Sequence, residues 1–197
     1  MIRRVCVFCG SRPGHSPAFG QAAATLGREL ARRGLGLVYG GAGQGLMGAV
    51  ADAVLDGGGE AYGVIPHGLA QQEFAHPRLT QVHFVGSMHE RKALMESLSD
   101  AFIALPGGFG TMDELFEALT WAQLGLHEKP VGLVDTSGYY APLVAWIRGA
   151  LDAGFVPRAL ESALLVAPAP DALLEQLLSH RPPASPVKWL GEKPVRR

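Results

Sequence analysis

A carboxylate, Glu114, follows a proline–glycine turn in the stretch AFIALPGGFGTMDELFE, residues 101–117. The glycines Gly107, Gly108 and Gly110 permit the positive φ angles of a tight turn, and Pro106 ends the apolar run 101–105, since proline cannot donate to a strand ladder. From Thr111 onward, Met112, Leu115, Phe116 and Leu119 recur at helical spacing. Strand, glycine turn and helix together aim free amides and the positive end of a helix dipole at one spot, where anions, and phosphate above all, bind. Thr111-x-x-Glu114 also fits a capping box, with Glu114 reaching back to the Thr111 amide. An acid beside an anion cradle repels a guest that is merely bound, so its other reading is chemistry next to a phosphate.

The segment Ser87-Met88-His89-Glu90-Arg91-Lys92 opens the preceding helix. Ser87 and Glu90 fit a capping box. Arg91 has Met88, Leu94 and Met95 as its helical neighbours, an apolar stripe that turns it toward the protein interior. A buried guanidinium without a partner is costly, and its planar fork suits a carboxylate or a phosphate. The partner is either Glu114 or Asp113, in a structural pair, or a substrate.

The elements that position these groups alternate along the chain. Strands are expected at residues 2–8, 35–39, 60–66, 81–85, 101–105, 130–134 and 163–166. Helices are expected at 17–33, from the 40–48 glycine stretch to 56, and at 88–98, 111–124, 139–151 and 171–178, with 67–77 irregular. Strands alternating with helices predict an α/β fold: a single-domain, Rossmann-like, three-layer structure with a mainly parallel sheet of about seven strands. Ligands then lie beyond the carboxyl ends of the strands. Residues 1–180 form the domain, and 181–197 form a proline-rich tail that Trp189-Leu190 could dock.

Gly43-Gln44-Gly45-Leu46-Met47-Gly48 matches G-x-G-x-x-G, which raises a dinucleotide as a rival ligand. The match follows the second strand rather than the first, and the next acid, Glu60, precedes the third strand instead of ending it. Close backbone approach, to a neighbouring turn or to a nucleotide, accounts for these glycines better. Cys6 and Cys9 form C-x-x-C, but within and at the end of a strand they face opposite ways, unlike a redox pair at a helix start. None of the seven histidines falls in H-E-x-x-H. Seventeen basic and eighteen acidic residues leave a net charge of −1, without the footprint of a nucleic-acid or anionic-membrane binder. With no apolar run long enough to span a bilayer and no signal peptide, the cytoplasm is expected.

With both motifs in view, the chain resembles the Lonely Guy family of cytokinin-activating nucleotide phosphoribohydrolases. Pro106-Gly107-Gly108-Phe109-Gly110-Thr111-Met112-Asp113-Glu114 matches every fixed position of P-G-G-x-G-T-x-x-E, and Met88, Arg91 and Lys92 match M-x-x-R-K. The likeness extends through residues 39–48, 120–133 and 138–140 and covers nearly everything from 5 to about 166. It implies hydrolysis of the N-glycosidic bond of a nucleoside 5′-monophosphate, such as an N6-modified adenosine monophosphate, to free base and ribose 5-phosphate. It implies Arg91 and Glu114 as the catalytic pair. Gly107, Gly108, Gly110 and Thr111 are implied to hold the 5′-phosphate, with Lys92 and Asp113 nearby and Gly41, Met88 and Phe109 also on the substrate. Glu73 is implied as the upstream acid that binds substrate. It further implies a homodimer and no metal or other cofactor.

The residue chemistry agrees. Glycosidic cleavage builds positive charge on the ribose, which a carboxylate stabilises, and the same carboxylate can activate water. Arg91 either donates to the departing base or fixes the carboxylate. A decarboxylase label attached to some relatives requires a Schiff-base lysine, and none of Lys92, Lys129, Lys188 and Lys193 has an evident cofactor setting. The alternative from another class is a noncatalytic nucleotide-binding or carrier protein on the same fold.

Overall fold

The structure, a computed structural model, describes residues 1–70 and 75–181. Seven strands form one sheet: β1 (Arg4–Phe8), β2 (Gly36–Tyr39), β3 (Ala61–Pro66), β4 (Gln81–Val85), β5 (Ala101–Ala104), β6 (Val131–Val134) and β7 (Leu164–Ala167). Their order is β4-β3-β2-β1-β5-β6-β7, and every pairing is parallel. The central strands are apolar on both faces because both faces are covered.

On one face lie α1 (Pro17–Arg32), α2 (Gly45–Asp56) and α7 (Pro170–Ser179), which pack Leu26, Leu30, Val50, Val54, Leu173 and Leu177 against Val5, Val7, Leu37 and Ile103. On the other lie α4 (Met88–Ser97), α5 (Phe109–Gln123) and α6 (Ala141–Asp152), where Met95, Leu115 and Ala118 meet Cys6, Phe8, Val38 and Phe102. Cys6 and Cys9 are free, buried thiols in opposite cores, as their spacing expects. Burial, and then the charge of Glu114, pushes both up, so they stay protonated.

The chain runs outward from β1 to β4 and returns to β5 on the other side of β1. The loops after β1 and β5 therefore leave toward opposite faces and open a crevice between them, the usual ligand site of such sheets. Register holds the two loops together: Val5 pairs with Ala101 and Phe8 with Ala104, and the Gly10 amide donates to the Pro106 carbonyl at 3.1 Å.

Ser16 caps α1 through a 3.3 Å bond from the Ala18 amide, with Pro17 in the first turn, as the sequence predicts. Two local expectations are corrected. Residues 67–77 are not wholly irregular: α3 (His67–Ala70) follows β3 directly, and Ala75 bridges to Ala42. α5 starts two residues before Thr111, because extended Gly108 is its N-cap. Residues 182–197, with Trp189 and Leu190, and Glu73 lie outside the described residues.

Candidate active site

Because Gly108 caps α5, Thr111 is inside the helix and the predicted Thr111–Glu114 capping box does not form. Glu114 faces inward instead and is 7% exposed. Thr111 is buried beneath the turn: a side chain at Gly107 would start 2.0 Å from Thr111 Oγ1 and 2.9 Å from the Gly10 amide nitrogen. The Tyr139 hydroxyl holds the Gly107 carbonyl from outside, and buried Tyr140 donates to the Leu105 carbonyl at 2.6 Å. With these carbonyls tied back, the amides of Phe109, Gly110 and Thr111 have no acceptor among the described residues. They form the open N-terminus of a fifteen-residue helix.

Arg91, on α4, is 6% exposed and lies at the carboxyl ends of β2 and β3. Its Nε donates to the Val64 carbonyl at 3.0 Å and its Nη2 to the Gly40 carbonyl at 3.2 Å. Gly40 is required for this: an added Cβ would stand 2.1 Å from Nη2. The sequence reading sought a carboxylate or phosphate as the partner, whereas backbone carbonyls hold two corners of the fork. The third, Nη1, lies 3.9 Å from both Glu114 Oε1 and Met88 Sδ. At that distance the carboxylate feels the positive charge without a hydrogen bond, and both groups keep capacity for a substrate or water. Burial pushes the Glu114 carboxyl up to about 7 against the opposing pull of Arg91, with Asp113 and Glu117 adding repulsion and Lys92 attraction. An acid that titrates near neutrality in a cleft suits proton transfer.

Lys92 is spanned by Asp113 at 3.0 Å and Glu117 at 3.1 Å, both from α5. Burial disfavours its charge, but the bonds to Asp113 and Glu117 outweigh that and hold the ammonium above its ordinary value. Lys129 is bonded to the Glu96 carboxylate and to the Glu96 carbonyl. Both amines are engaged by carboxylates of their own protein, so neither stands free to form a Schiff base with a pyridoxal group; Lys188 and Lys193 lie outside the described residues.

The structure thus brings Arg91, Glu114, Lys92, Asp113, Thr111 and Gly107–Gly110 to one end of the sheet, with Met88 at the guanidinium. Gly41, at φ +84°, packs on Ile65 rather than into the cleft, and Phe109 is 96% exposed. Four participants escaped the sequence reading: the Val64 and Gly40 carbonyls, the Tyr139 hydroxyl, and the β1–α1 loop. Backbone acceptors carry no residue signature, and the close backbone approach read from the sequence attaches to Gly43–Gly48 rather than to Gly40.

Residues 47–177 match the family described as possible lysine decarboxylase. The chain is 51% identical, over 92% of its length and 74% of the relative's, to the probable cytokinin riboside 5′-monophosphate phosphoribohydrolase LOGL5 of Oryza sativa subsp. japonica. It is 47% identical, over 92% and 84%, to the cytokinin riboside 5′-monophosphate phosphoribohydrolase LOG3 of Arabidopsis thaliana. Among solved structures, the molybdenum cofactor carrier protein MCP of Chlamydomonas reinhardtii shares the fold, with TM-score 0.69, 23% identity and coverage of 91% and 100%. The motifs, their convergence on one end of the sheet and these identities lead to one assignment: the chain belongs to the Lonely Guy family, the cytokinin riboside 5′-monophosphate phosphoribohydrolases.

Proposed function

We propose that the protein hydrolyses adenosine 5′-monophosphate and its N6-modified forms to the free base and ribose 5-phosphate. The observation behind this is Glu114, buried, pushed up to about 7 and facing Arg91 Nη1 at 3.9 Å, on the same helix whose open amides lie about one turn before it. The 5′-phosphate sits on those amides, and its binding energy positions the ribose. A water oxygen then bonds to C1′ as the C1′–N bond breaks. The water's proton passes to Glu114, while the base leaves with the bond's electron pair and takes up a proton. Ionised Glu114 also stabilises the positive charge that develops on the ribose. Arg91, clamped by two carbonyls, favours the ionised form of Glu114 against the effect of burial and offers Nη1 to the substrate. Glu73 joins as a substrate-binding acid.

A carrier on the same fold remains the reading to separate, because a carrier of an anion gains nothing from a buried acid beside its cradle. Incubation with AMP and N6-isopentenyl-AMP, followed by chromatography, separates the two. Free base and ribose 5-phosphate from wild type, and none from Glu114→Gln, are expected. Binding of both nucleotides without cleavage would put the carrier first. The same reading makes the protein a cytoplasmic homodimer. Phe109, Leu124, Leu126 and Trp146, exposed on α5, just after it and on α6, support the dimer, and sedimentation velocity tests it.

A further inference from the structure

A cavity of about 250 Å³ fills the crevice between the loops after β1 and β5. Gly107 and Gly108 from the second loop and the segment Gly10–Gly14 from the first line it, together with Leu46 and Tyr139. Its volume is below the ~300–1,000 Å³ typical of pockets for whole drug-sized ligands, so it suits the sugar-phosphate end of a nucleotide. The cradle beside it offers only neutral donors, and Lys92 is already neutralised by Asp113 and Glu117. Arg12 is the one cation lining the cavity, and it has no ion pair among the described residues.

The backbone that carries Arg12 is fixed on three sides. The Gly10 amide is bonded to Pro106, and the Gly10 carbonyl accepts from the Leu46 amide at 3.0 Å. The first turn of α2 presses against the Ser11–Arg12 peptide so closely that a Cβ on Gly45 would lie 2.6 Å from the Arg12 nitrogen. Gly14, at φ +72°, packs against the Phe19 ring. A cation is thus presented from a rigid loop across the crevice from the open end of α5.

We propose that Arg12 is a specificity-determining residue that pairs with the substrate's 5′-phosphate from the side opposite the Gly107–Thr111 cradle. It makes the site discriminate nucleotides from nucleosides. This rests on the phosphoribohydrolase reading, and it adds the charge that the motif itself lacks. A guanidinium suits the task, because its fork bonds two phosphate oxygens while the α5 amides take others.

The test is calorimetric binding of ribose 5-phosphate, with ribose as the uncharged control, to wild type, Arg12→Ala and Arg12→Lys. AMP hydrolysis is assayed on the same preparations. Arg12→Ala is expected to weaken ribose 5-phosphate binding about tenfold or more, as loss of a charge-assisted hydrogen bond does. Arg12→Lys should fall between, and ribose should bind all three alike. KM for AMP should rise with the dissociation constant while kcat holds. Binding of ribose 5-phosphate by Arg12→Ala within about twofold of wild type overturns the assignment. Wild-type protein that binds ribose 5-phosphate but leaves AMP intact overturns the hydrolase reading instead.

Discussion

The turn after β2 and the turn after β5 are both glycine-rich, both follow a buried strand, and both lead into a helix. The space beside their glycines is filled differently. In the first, a side chain at any of four glycines would meet protein: Arg91 at Gly40, Ile65 at Gly41, the Ser11–Arg12 backbone at Gly45 and the Gly43 carbonyl at Gly48. Two amides in the first turn of α2 are also taken up, since Leu46 and Met47 both donate to the Gly10 carbonyl. In the second turn, among the described residues, only Gly107 is filled, by Thr111 and Gly10; none of them lies within 4 Å of a Cβ on Gly108 or Gly110, and none accepts from the first amides of α5. The first turn is a socket for the protein's own groups, and the second is an open seat. Two glycine patterns of similar appearance therefore divide the labour: one aims Arg91, the other receives an anion.

The largest expected effect comes from the group between the two turns. Glu114→Gln should lower kcat for AMP by roughly 10²–10⁴, the usual span for a general base. In wild type, kcat/KM should rise with pH to a plateau above about 7, because the base acts ionised. Stability has the opposite sign. Burial raises the folded pKa, so the folded state binds the proton more tightly, and stability falls as pH rises from the ordinary carboxylate range through about 7. The full cost, about 3 kcal/mol for a shift of this size, applies above that pH. Glu114→Gln should therefore melt higher than wild type at alkaline pH and about equally at acid pH. A variant that is inactive and also less stable at alkaline pH would show that Glu114 is structural.

Next come two substitutions in the socket, which its geometry separates. At Gly40 the nearest obstacle is the tip of a flexible side chain, Arg91 Nη2 at 2.1 Å. Gly40→Ala should displace the guanidinium rather than the backbone, costing about tenfold or more in kcat with about 1–2 kcal/mol of stability. At Gly45 the obstacle is backbone, with the Ser11 carbonyl carbon at 2.4 Å, and φ is +60°. Gly45→Ala should cost more stability, about 2–4 kcal/mol, read as a drop in urea midpoint. Equal effects of the two on stability and on turnover would erase the distinction.

The difference between socket and seat was only half legible in the sequence. Short apolar runs between turn residues located all seven strands, most sharply β2, β3, β5 and β6, which are buried on both faces and so leave a nearly unbroken apolar signature, and Ser16-Pro17 marked the start of α1. Arg91 was legible as buried because Met88, Leu94 and Met95 flank it. The α5 boundary was misread because Gly108 caps with backbone alone, which leaves no polar side chain to recognise. The holders of Arg91 were invisible, since the Val64 and Gly40 carbonyls belong to any residue type. Arg12 gave no signal either: an exposed arginine in a loop becomes notable only when the fold lays that loop across from the α5 turn.

The smallest effects on stability belong to the seat, and they test it most sharply. Gly108 has extended backbone that any residue adopts, and Gly110 lies in the first turn of α5, where alanine is the better helix former. With no atom of the described residues within 4 Å of either added methyl group, Gly108→Ala should be near neutral, and Gly110→Ala neutral to stabilising by up to about 1 kcal/mol. If a phosphate occupies that space, the same methyl groups meet it. KM for AMP and the dissociation constant of ribose 5-phosphate should then rise together, while melting temperature holds and kcat changes little. Adenosine, lacking the phosphate, should be bound as weakly by the variants as by wild type. Unchanged phosphate affinity in both variants would move the seat away from α5, since none of the described residues competes for the space beside these two glycines.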